Sequence, residues 1–299
     1  MTDTQNEVFK TPVNKIRLFE HGAPGSQNLK LTRKYYTEDM PDGRVKHIVQ
    51  NITDPDIVPY IPDGIGNSTD RQRIPAVLII PGGAFRRLVY NFEGEDVAKW
   101  LNSMGIAAFV LECRLPSDEH DNAEDVPLID AMRAMRVIRG RAQEFGIDEA
   151  KIGVMGFSAG GFMAALLSTA YESDVYADYK YKDEYDKLSA RPDFAVCSYP
   201  VISIDDCIEA GKRYMSEEQV LERISDSKAK ILHKYNPDKL VRPDMPPVFI
   251  CETDDDRTTL SENSVGFYMA ARKAGVSAEL HIFRTGGHGY GCGDDFAQT

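Results

Sequence analysis

Ser158 lies at the centre of the pentapeptide Gly156-Phe157-Ser158-Ala159-Gly160, a setting that suggests nucleophilic chemistry. A strand-like run, KIGVMGF, ends just before Ser158, and the small, apolar segment 159–170 is a predicted helix. A sharp strand-to-helix turn presents a serine hydroxyl at the carboxyl edge of a parallel sheet, where ligands bind. The pattern alone occurs by chance in roughly one chain in ten of this size, so a plain glycine-rich turn is the alternative. The strand–turn–helix context favours a serine nucleophile.

A glycine-rich loop follows the first long apolar run. Residues 75–80 (PAVLII) are followed by Pro81-Gly82-Gly83-Ala84-Phe85. Glycines let backbone N–H groups face a ligand, and such donors stabilise the negative charge that develops on a carbonyl oxygen during acyl transfer. We expect the N–H groups of Gly83, Ala84 and Ala159 to form an oxyanion hole. A tight structural loop is the alternative, while a phosphate-binding loop is disfavoured because no Gly-Lys-Ser/Thr follows.

The best candidate for a general base is His288. It lies in the segment TGGHGY, directly after the last predicted strand, and a flexible loop there can carry an imidazole over the serine. His281 lies inside that strand, where a structural role is expected. The remaining histidines lack such a context: His21, His47, His120 and His233.

An acid that orients the imidazole is expected in the run Asp254-Asp255-Asp256-Arg257, which follows a predicted strand over 247–253. The chain order Ser…Asp…His is the one expected of a serine hydrolase built on a parallel sheet. The residue pattern leaves all three aspartates open as candidates. A solvated acidic turn is the alternative.

Apolar runs and helical stripes alternate along residues 75–283. Continuous apolar runs predict buried strands at 75–80, 106–111, 151–157, 193–199, 247–251 and 278–283. Helices are predicted at 93–104, 125–145, 159–170 and 262–274, the first with Val97, Trp100, Leu101 and Met104 on one stripe. This alternation predicts an α/β fold, with a mainly parallel central sheet flanked by helices on both faces.

The remaining segments depart from that rhythm. The polar residues 1–45 predict an N-terminal arm, residues 47–62 suit edge strands, and residues 63–74 predict an exposed loop. Residues 202–245 are polar, with a helix predicted at roughly 217–234. They are interpreted as a lid inserted near the site or as an ordinary crossover with long loops, and the sequence leaves both open. A single domain over 1–299 is expected.

Composition excludes several classes of partner. The chain has 299 residues and a formal net charge of −12, whereas nucleic acids and anionic membranes both need a basic face. No signal peptide is expected, and no apolar stretch approaches the roughly 18 residues needed to span a bilayer. The five cysteines lack metal-ligand or redox spacing, which favours a reducing cytoplasm. The oligomeric state is left open, a homo-oligomer included.

Several segments together resemble one family. They include IRLFEHGAPGS, IPAVLIIPGGAF, KIGVMGFSAGG, PPVFICETDDDRTTLSENS and KAGVSAELHIFRTGGHGYG. Over about residues 16–291 the chain resembles the acetyl-xylan-esterase and feruloyl-esterase-like branch of the α/β-hydrolases. The resemblance implies the α/β-hydrolase fold and Asp256 as the acid, because the family's acid stands seven positions before the asparagine that is Asn263 here. It implies the same oxyanion donors, Gly83, Ala84 and Ala159.

Four positions depart from that family's pattern. Ala84 replaces a third glycine, Phe162 replaces a histidine after Gly160-Gly161, Cys113 replaces a tyrosine before Arg114, and Thr258-Thr259-Leu260 replaces Val-Val-Pro. These changes bear on the substrate rather than on the type of reaction.

The sequence therefore predicts a serine ester hydrolase that acts through an acyl-enzyme, with Ser158, Asp256 and His288 as catalytic residues. No metal and no cofactor are required by this mechanism. The expected partner is a small-molecule ester, and the resemblance implies a small acetylated carbohydrate. The alternatives are a general short-chain carboxylesterase, a small peptidase of the prolyl-oligopeptidase type and a non-enzymatic ligand-binding homologue.

Overall fold

Eleven strands and eight α-helices are found in the computed structural model, which describes residues 9, 13–64, 73–213, 215–224 and 227–293. The strands are β1 (Ile16–Arg17), β2 (Lys34–Asp39), β3 (Val45–Gln50), β4 (Asp56–Tyr60), β5 (Ile74–Ile80), β6 (Leu88–Val89), β7 (Ala107–Glu112), β8 (Ile147–Phe157), β9 (Ala195–Ser198), β10 (Val248–Thr253) and β11 (Ala278–Phe283). The helices are α1 (Asp96–Ser103), α2 (Val126–Gly140), α3 (Ala142–Phe145), α4 (Ala159–Ala170), α5 (Ile204–Lys212), α6 (Glu217–Ile224), α7 (Ser227–Lys234) and α8 (Ser261–Lys273).

The main sheet has eight strands in the order β1-β4-β7-β5-β8-β9-β10-β11. The strands from β7 to β11 in this order pair in parallel, and only β1 and β4 are antiparallel to their neighbours. The apolar runs of β5 and β7 are buried at nearly every position, as expected of central strands covered on both faces. The predicted mainly parallel sheet with flanking helices is confirmed, and it is the sheet of an α/β-hydrolase.

The helices follow the predicted stripes with one clear error. Strand β11 and helix α4 have the predicted bounds, and the helix predicted at 125–145 is interrupted at Arg141 between α2 and α3. The stripe over 93–104 is wrong in part, because Trp100 is 42% exposed and Met104 is 50% exposed. Helix α1 ends at Ser103, so Met104 leaves the helical row, and Trp100 lies beside the buried row of Val97 and Leu101.

The N-terminal region contributes strands to both sheets. Within the predicted arm, β1 joins the edge of the main sheet, and β2 pairs with β3 in a small antiparallel sheet with the order β2-β3-β6. Strand β4 lies beside the two-residue edge strand β1, but β3 is the middle strand of the small sheet, so only part of 47–62 fits the expected edge position. The loop predicted at 63–74 lies mostly outside the described residues.

The region 202–245 contains α5, α6 and α7, which is more helix than the sequence predicted. Side chains tie it to the rest of the chain: Lys234 Nζ lies 2.6 Å from a carboxylate oxygen of Asp125, and Arg213 lies 3.0 Å from a carboxylate oxygen of Glu262. Its role as a lid stays a prediction. Within the described ranges, no helix combines the length and the apolar character that crossing a bilayer requires.

Candidate active site

The carboxyl ends of four parallel strands meet at one edge of the main sheet. Ser158 follows β8, and the loop of Gly83 and Ala84 follows the neighbouring strand β5. The aspartate run follows β10, and His288 lies in the loop after β11. Because parallel strands end at the same edge, residues separated by up to 205 positions can meet there.

Ser158 occupies a strained turn between β8 and α4. Its backbone has φ 53° and ψ −116°, a region that residues with a side chain rarely adopt. Space at this turn is limited by the packing of α4 on β5, since a Cβ atom at Gly160 would lie only 2.0 Å from the carbonyl oxygen of Ile80. The serine is 8% exposed and lines a cleft.

Two hydrogen bonds link Ser158, His288 and Asp256. Ser158 Oγ lies 2.8 Å from His288 Nε2, and His288 Nδ1 lies 2.6 Å from Asp256 Oδ2. A carboxylate can only accept hydrogen bonds, so Nδ1 carries the proton and Nε2 is free to accept the serine hydroxyl. In this arrangement the imidazole can take the serine proton when the oxygen attacks an electrophile.

Asp256 is the one aspartate of its run that faces the imidazole. Its Oδ1 accepts the N–H groups of Thr258 at 2.7 Å and Thr259 at 3.0 Å, and its Oδ2 accepts the Thr259 hydroxyl at 2.8 Å. Burial opposes ionisation, but hydrogen bonding and the charge of His288, together with these N–H groups, hold the pKa of Asp256 below its usual value. Asp255 instead accepts the N–H of Gly287 at 2.8 Å. It thereby holds the loop after β11 that contains His288, the histidine loop.

The loop after β5 passes directly beside the serine. A Cβ atom placed on Gly82 would lie 3.0 Å from Ser158 Cβ. Gly83 has φ 137°, and Ala84 has φ 58°, a left-handed conformation that favours glycine. Ala159 is the first residue of α4, so its N–H has no acceptor inside the helix. Gly83, Ala84 and Ala159 line the same cleft as Ser158, as the donors of an oxyanion hole would.

Two buried residues that the sequence analysis missed connect the loops of the site. Glu93 Oε2 accepts the N–H of Gly82 at 2.8 Å, and its Oε1 accepts the hydroxyl of Tyr199 at 2.9 Å. The Tyr199 oxygen in turn accepts the N–H of Gly291 at 3.0 Å. The Tyr199 ring also lies edge-on to the His288 ring, with centroids 5.1 Å apart. This network ties the loop after β5 to the histidine loop.

Burial dominates the electrostatics of Glu93. It raises the pKa of this carboxyl, while hydrogen bonding by Tyr199, the charge of His288, the N–H of Gly82 and the charge of Lys46 oppose the rise. A sequence signal for Glu93 exists: it precedes Val97 by four positions and therefore falls on the buried row of the following helix. An acid on an apolar stripe indicates a specific partner. No comparable signal marks Tyr199.

The departures from the family pattern occupy different surroundings. Phe162 is fully buried and packs edge-on against Phe85, with ring centroids 5.5 Å apart, so it supports the loop after β5 from below. Thr258 lines the cleft, whereas Thr259 is buried against Asp256. Cys113 is buried and borders a small cavity of about 10 Å³, which Gly82 also lines and which shares Arg87 and Ala159 with the cleft.

The cleft has a volume of about 250 Å³ and contains Ser158 and His288 in its wall. Its other walls come from the small sheet and from the loop after β5, including Arg44, Lys46 and Arg87. None of the described residues that line it belongs to 202–245. In the described parts of the chain, no group of three or more His, Cys, Asp or Glu side chains could hold a metal ion.

Two curated relatives have the same sequence identity to this chain. The acetylxylan esterase of Xylanibacter ruminicola is 31% identical over 223 residues, which cover 74% of this chain and 42% of that protein. Endo-1,4-beta-xylanase B of Butyrivibrio fibrisolvens is 31% identical over 227 residues, covering 76% of this chain and 34% of that protein. The chain spans less than half the length of either relative.

Two solved structures are also similar to this chain. The acetyl ester-xyloside bifunctional hydrolase from Caldicellulosiruptor lactoaceticus has a TM-score of 0.65 and 38% identity, covering 82% of this chain and 83% of that one. A propionate-bound esterase from the planctomycete Thermogutta terrifontis has a TM-score of 0.62 at 24% identity, covering 92% and 90%, and shares the fold.

The BD-FAE family model matches residues 65–270, more than half of the chain. The match contains Ser158 and Asp256 and ends before His288. The strand order, the strained serine turn and this match agree, and the chain belongs to the BD-FAE family of α/β-hydrolases.

Proposed function

We propose that this chain is a serine carboxylic-ester hydrolase that removes acetyl groups from small acetylated carbohydrates. The observation that carries the proposal is the pair of hydrogen bonds from Ser158 Oγ to His288 Nε2 (2.8 Å) and from His288 Nδ1 to Asp256 Oδ2 (2.6 Å). Ser158, His288 and Asp256 act as nucleophile, general base and orienting acid.

The reaction proceeds through an acyl-enzyme. His288 Nε2 takes the proton of Ser158 as Oγ attacks the ester carbonyl, and Asp256 stabilises the imidazolium that forms. The N–H groups of Gly83, Ala84 and Ala159 stabilise the oxyanion, each at a typical worth of about 2.7–4 kcal/mol. His288 then protonates the leaving alcohol, and water repeats the attack to release the carboxylic acid.

The choice of substrate rests on similar proteins. One relative is an acetylxylan esterase, and a similar structure belongs to an acetyl ester-xyloside hydrolase. The cleft volume of about 250 Å³ suits a small ester rather than a long acyl chain. Four cysteines have side chains that the structure describes, and all four are free thiols: Cys113, Cys197, Cys251 and Cys292. They support a reducing compartment, and we include a cytoplasmic location in the proposal. Recovery of the protein from the medium rather than from the cell lysate would contradict that location.

The test uses p-nitrophenyl acetate and acetylated xylo-oligosaccharides with wild type and Ser158→Ala. We expect the variant to lose roughly 10⁴- to 10⁶-fold in kcat on both substrates and to escape labelling by a fluorophosphonate probe. Ser168→Ala is the matched control, because Ser168 lies on α4, the helix that directly follows Ser158, and it donates to the carbonyl of Ala164 at 2.7 Å. Wild-type turnover by Ser158→Ala would refute the proposal.

A further inference from the structure

The cleft beside Ser158 is lined by three cationic side chains, Arg44, Lys46 and Arg87. Arg44 follows the turn between β2 and β3, Lys46 lies on β3, and Arg87 belongs to the loop after β5. This concentration of positive charge contrasts with the net charge of −12 of the whole chain. A cleft whose sign opposes that of the surrounding protein is a feature that calls for an explanation.

One carboxyl group lies in the cleft beside these three cations. Among the described lining residues, Glu93 is the only acid. It is 5% exposed, and both of its oxygens are taken up by the N–H of Gly82 and the hydroxyl of Tyr199. Each of its oxygens therefore already has a hydrogen-bond partner inside the protein, and the cations that line the cleft outnumber this acid three to one.

Each cation is held differently. Arg87 lies 2.6 Å from Glu38, and Arg44 lies 2.8 Å from Asp42, but neither acid lines the cleft. Arg44 also lies over the Phe92 ring, 5.2 Å from its centroid, and Phe92 itself lines the cleft. Lys46 is half-buried, and its charge acts on Glu93. The cleft thus offers positive charge next to an apolar ring face.

An uncharged acetyl group gains nothing from these cations, whereas an anionic group on the other half of the ester would be attracted by them. A cleft lined by one sign of charge raises the local concentration of oppositely charged substrates. Guanidinium and ammonium groups bind carboxylates through charge-assisted hydrogen bonds, and an aromatic face such as Phe92 packs against a sugar ring.

We infer that the preferred ester carries a carboxylate on its alcohol part, as in an acetylated saccharide that contains a uronic acid unit. Hydrolysis releases acetate from the ester and leaves the anionic saccharide as the alcohol, with water as the only co-reactant. This inference rests on the proposed ester hydrolase activity and adds the substrate class.

The first experiment compares 4-acetoxybenzoate with its uncharged methyl ester at low ionic strength. The two share the acetyl group and the ring, and the difference between their leaving groups is the same for every variant, so a change in the ratio of their kcat/KM values for acetate release reports charge recognition. We expect Lys46→Gln and Arg87→Gln each to lower the anionic-to-neutral ratio by about three- to tenfold, because one charge interaction across a partly solvated cleft is removed. Salt at about 0.5 M should lower the wild-type ratio in the same direction.

Lys99→Gln is the matched control, because Lys99 is an exposed lysine of α1 that pairs with Glu95 at 2.7 Å and does not line the cleft. The anionic-to-neutral ratio of kcat/KM in Lys99→Gln should equal that of wild type. A second arm compares acetylated xylo-oligosaccharides with and without a uronic acid side unit, where wild type should favour the acidic one.

The outcomes separate the two proposals. Hydrolysis of both esters with an equal ratio in wild type, Lys46→Gln and Arg87→Gln would overturn the inference and leave the ester hydrolase intact. Failure to hydrolyse either ester would overturn the proposed function and the inference together.

Discussion

The serine turn and the histidine loop both follow a strand and both contain glycine, but for opposite reasons. At the serine turn, a Cβ atom on Gly160 would collide with the Ile80 carbonyl oxygen at 2.0 Å, so glycine is needed for space. In the histidine loop, a Cβ atom on Gly289 would meet nothing within 4 Å, but its φ is +80°, so glycine is needed for backbone conformation.

The two regions are consequently held by different forces. Ser158 is fixed by the packing of α4 against the central strands, with Ala159 only 4% exposed. The histidine loop is more open, and hydrogen bonds hold it: Asp255 accepts the N–H of Gly287, and Thr253 donates to the Gly287 carbonyl at 2.9 Å. Packing gives Ser158 one position, whereas directional hydrogen bonds set the position of His288.

The largest expected effect is on the bond that orients the imidazole. Asp256→Asn should lower kcat by about 10⁴-fold, because an amide nitrogen can favour the wrong tautomer of His288, as in the chymotrypsin case on which this magnitude rests. Asp255→Asn is the control, since Asp255 contacts the loop backbone and not the ring. Steady-state kinetics on p-nitrophenyl acetate measures both, and equal losses in the two variants would contradict the assignment of Asp256.

The next largest expected effect is the difference in stability loss between substitutions at Gly160 and Gly289. Gly160→Ala should lower the free energy of unfolding by about 3 kcal/mol or more, because the methyl group must displace backbone. Gly289→Ala should cost only about 1–2 kcal/mol, the strain of a positive φ in open space. Urea unfolding measures both, with Gly266→Ala on α8 as a control without a neighbour within 4 Å. A larger loss in Gly289→Ala than in Gly160→Ala would break the comparison.

Tyr199→Phe probes the network that ties the two regions together. It removes the hydroxyl that serves Glu93 and the N–H of Gly291, and leaving such buried groups unpaired costs about 1–3 kcal/mol. We expect a lower kcat with little change in KM, because the histidine loop loses an anchor. Tyr171→Phe, whose hydroxyl meets Asp244 at 2.8 Å away from the cleft, should change neither constant. Identical kinetics in Tyr199→Phe and wild type would show that the network does not position the base.

The smallest expected effect is on pH dependence. The folded protein holds the pKa of Asp256 below its usual value, so ionised Asp256 stabilises the fold above the unfolded pKa. This contribution is lost as the pH falls through the folded pKa. Urea unfolding of wild type and Asp256→Asn at pH values between about 2 and 6 should therefore give curves that converge on acidification. If the free energies of unfolding of wild type and Asp256→Asn differ by the same amount at every pH, Asp256 does not make this contribution.

Much of the fold follows from local pattern. The alternation of apolar runs and stripes predicted the parallel sheet, and the bounds of β11 and α4 matched. The exposure of Trp100 was missed, because a stripe at helical spacing does not say how much of its width the sheet covers. Strands β1 and β2 were missed as well: β1 pairs with the distant strand β4, whereas β2 pairs with the next strand, β3, across the turn at 40–44.

The sequence by itself determined the kinds of group available and the strand ends on which they stand. The serine motif, the glycine loop and the histidine loop are local patterns, because a turn's chemistry is set by the residues inside it. The residue pattern alone left Asp254, Asp255 and Asp256 open as candidates for the acid. Only the family resemblance favoured Asp256.

Only the tertiary structure decided which aspartate meets the imidazole, and that Glu93 and Tyr199 join the two loops. It also decided that Arg44, Lys46 and Arg87 line the cleft of Ser158. Hydrogen bonds act over about 3 Å, and the direction of a side chain at that range depends on how whole elements pack. Contacts between residues far apart in the chain are therefore fixed by packing and not by spacing.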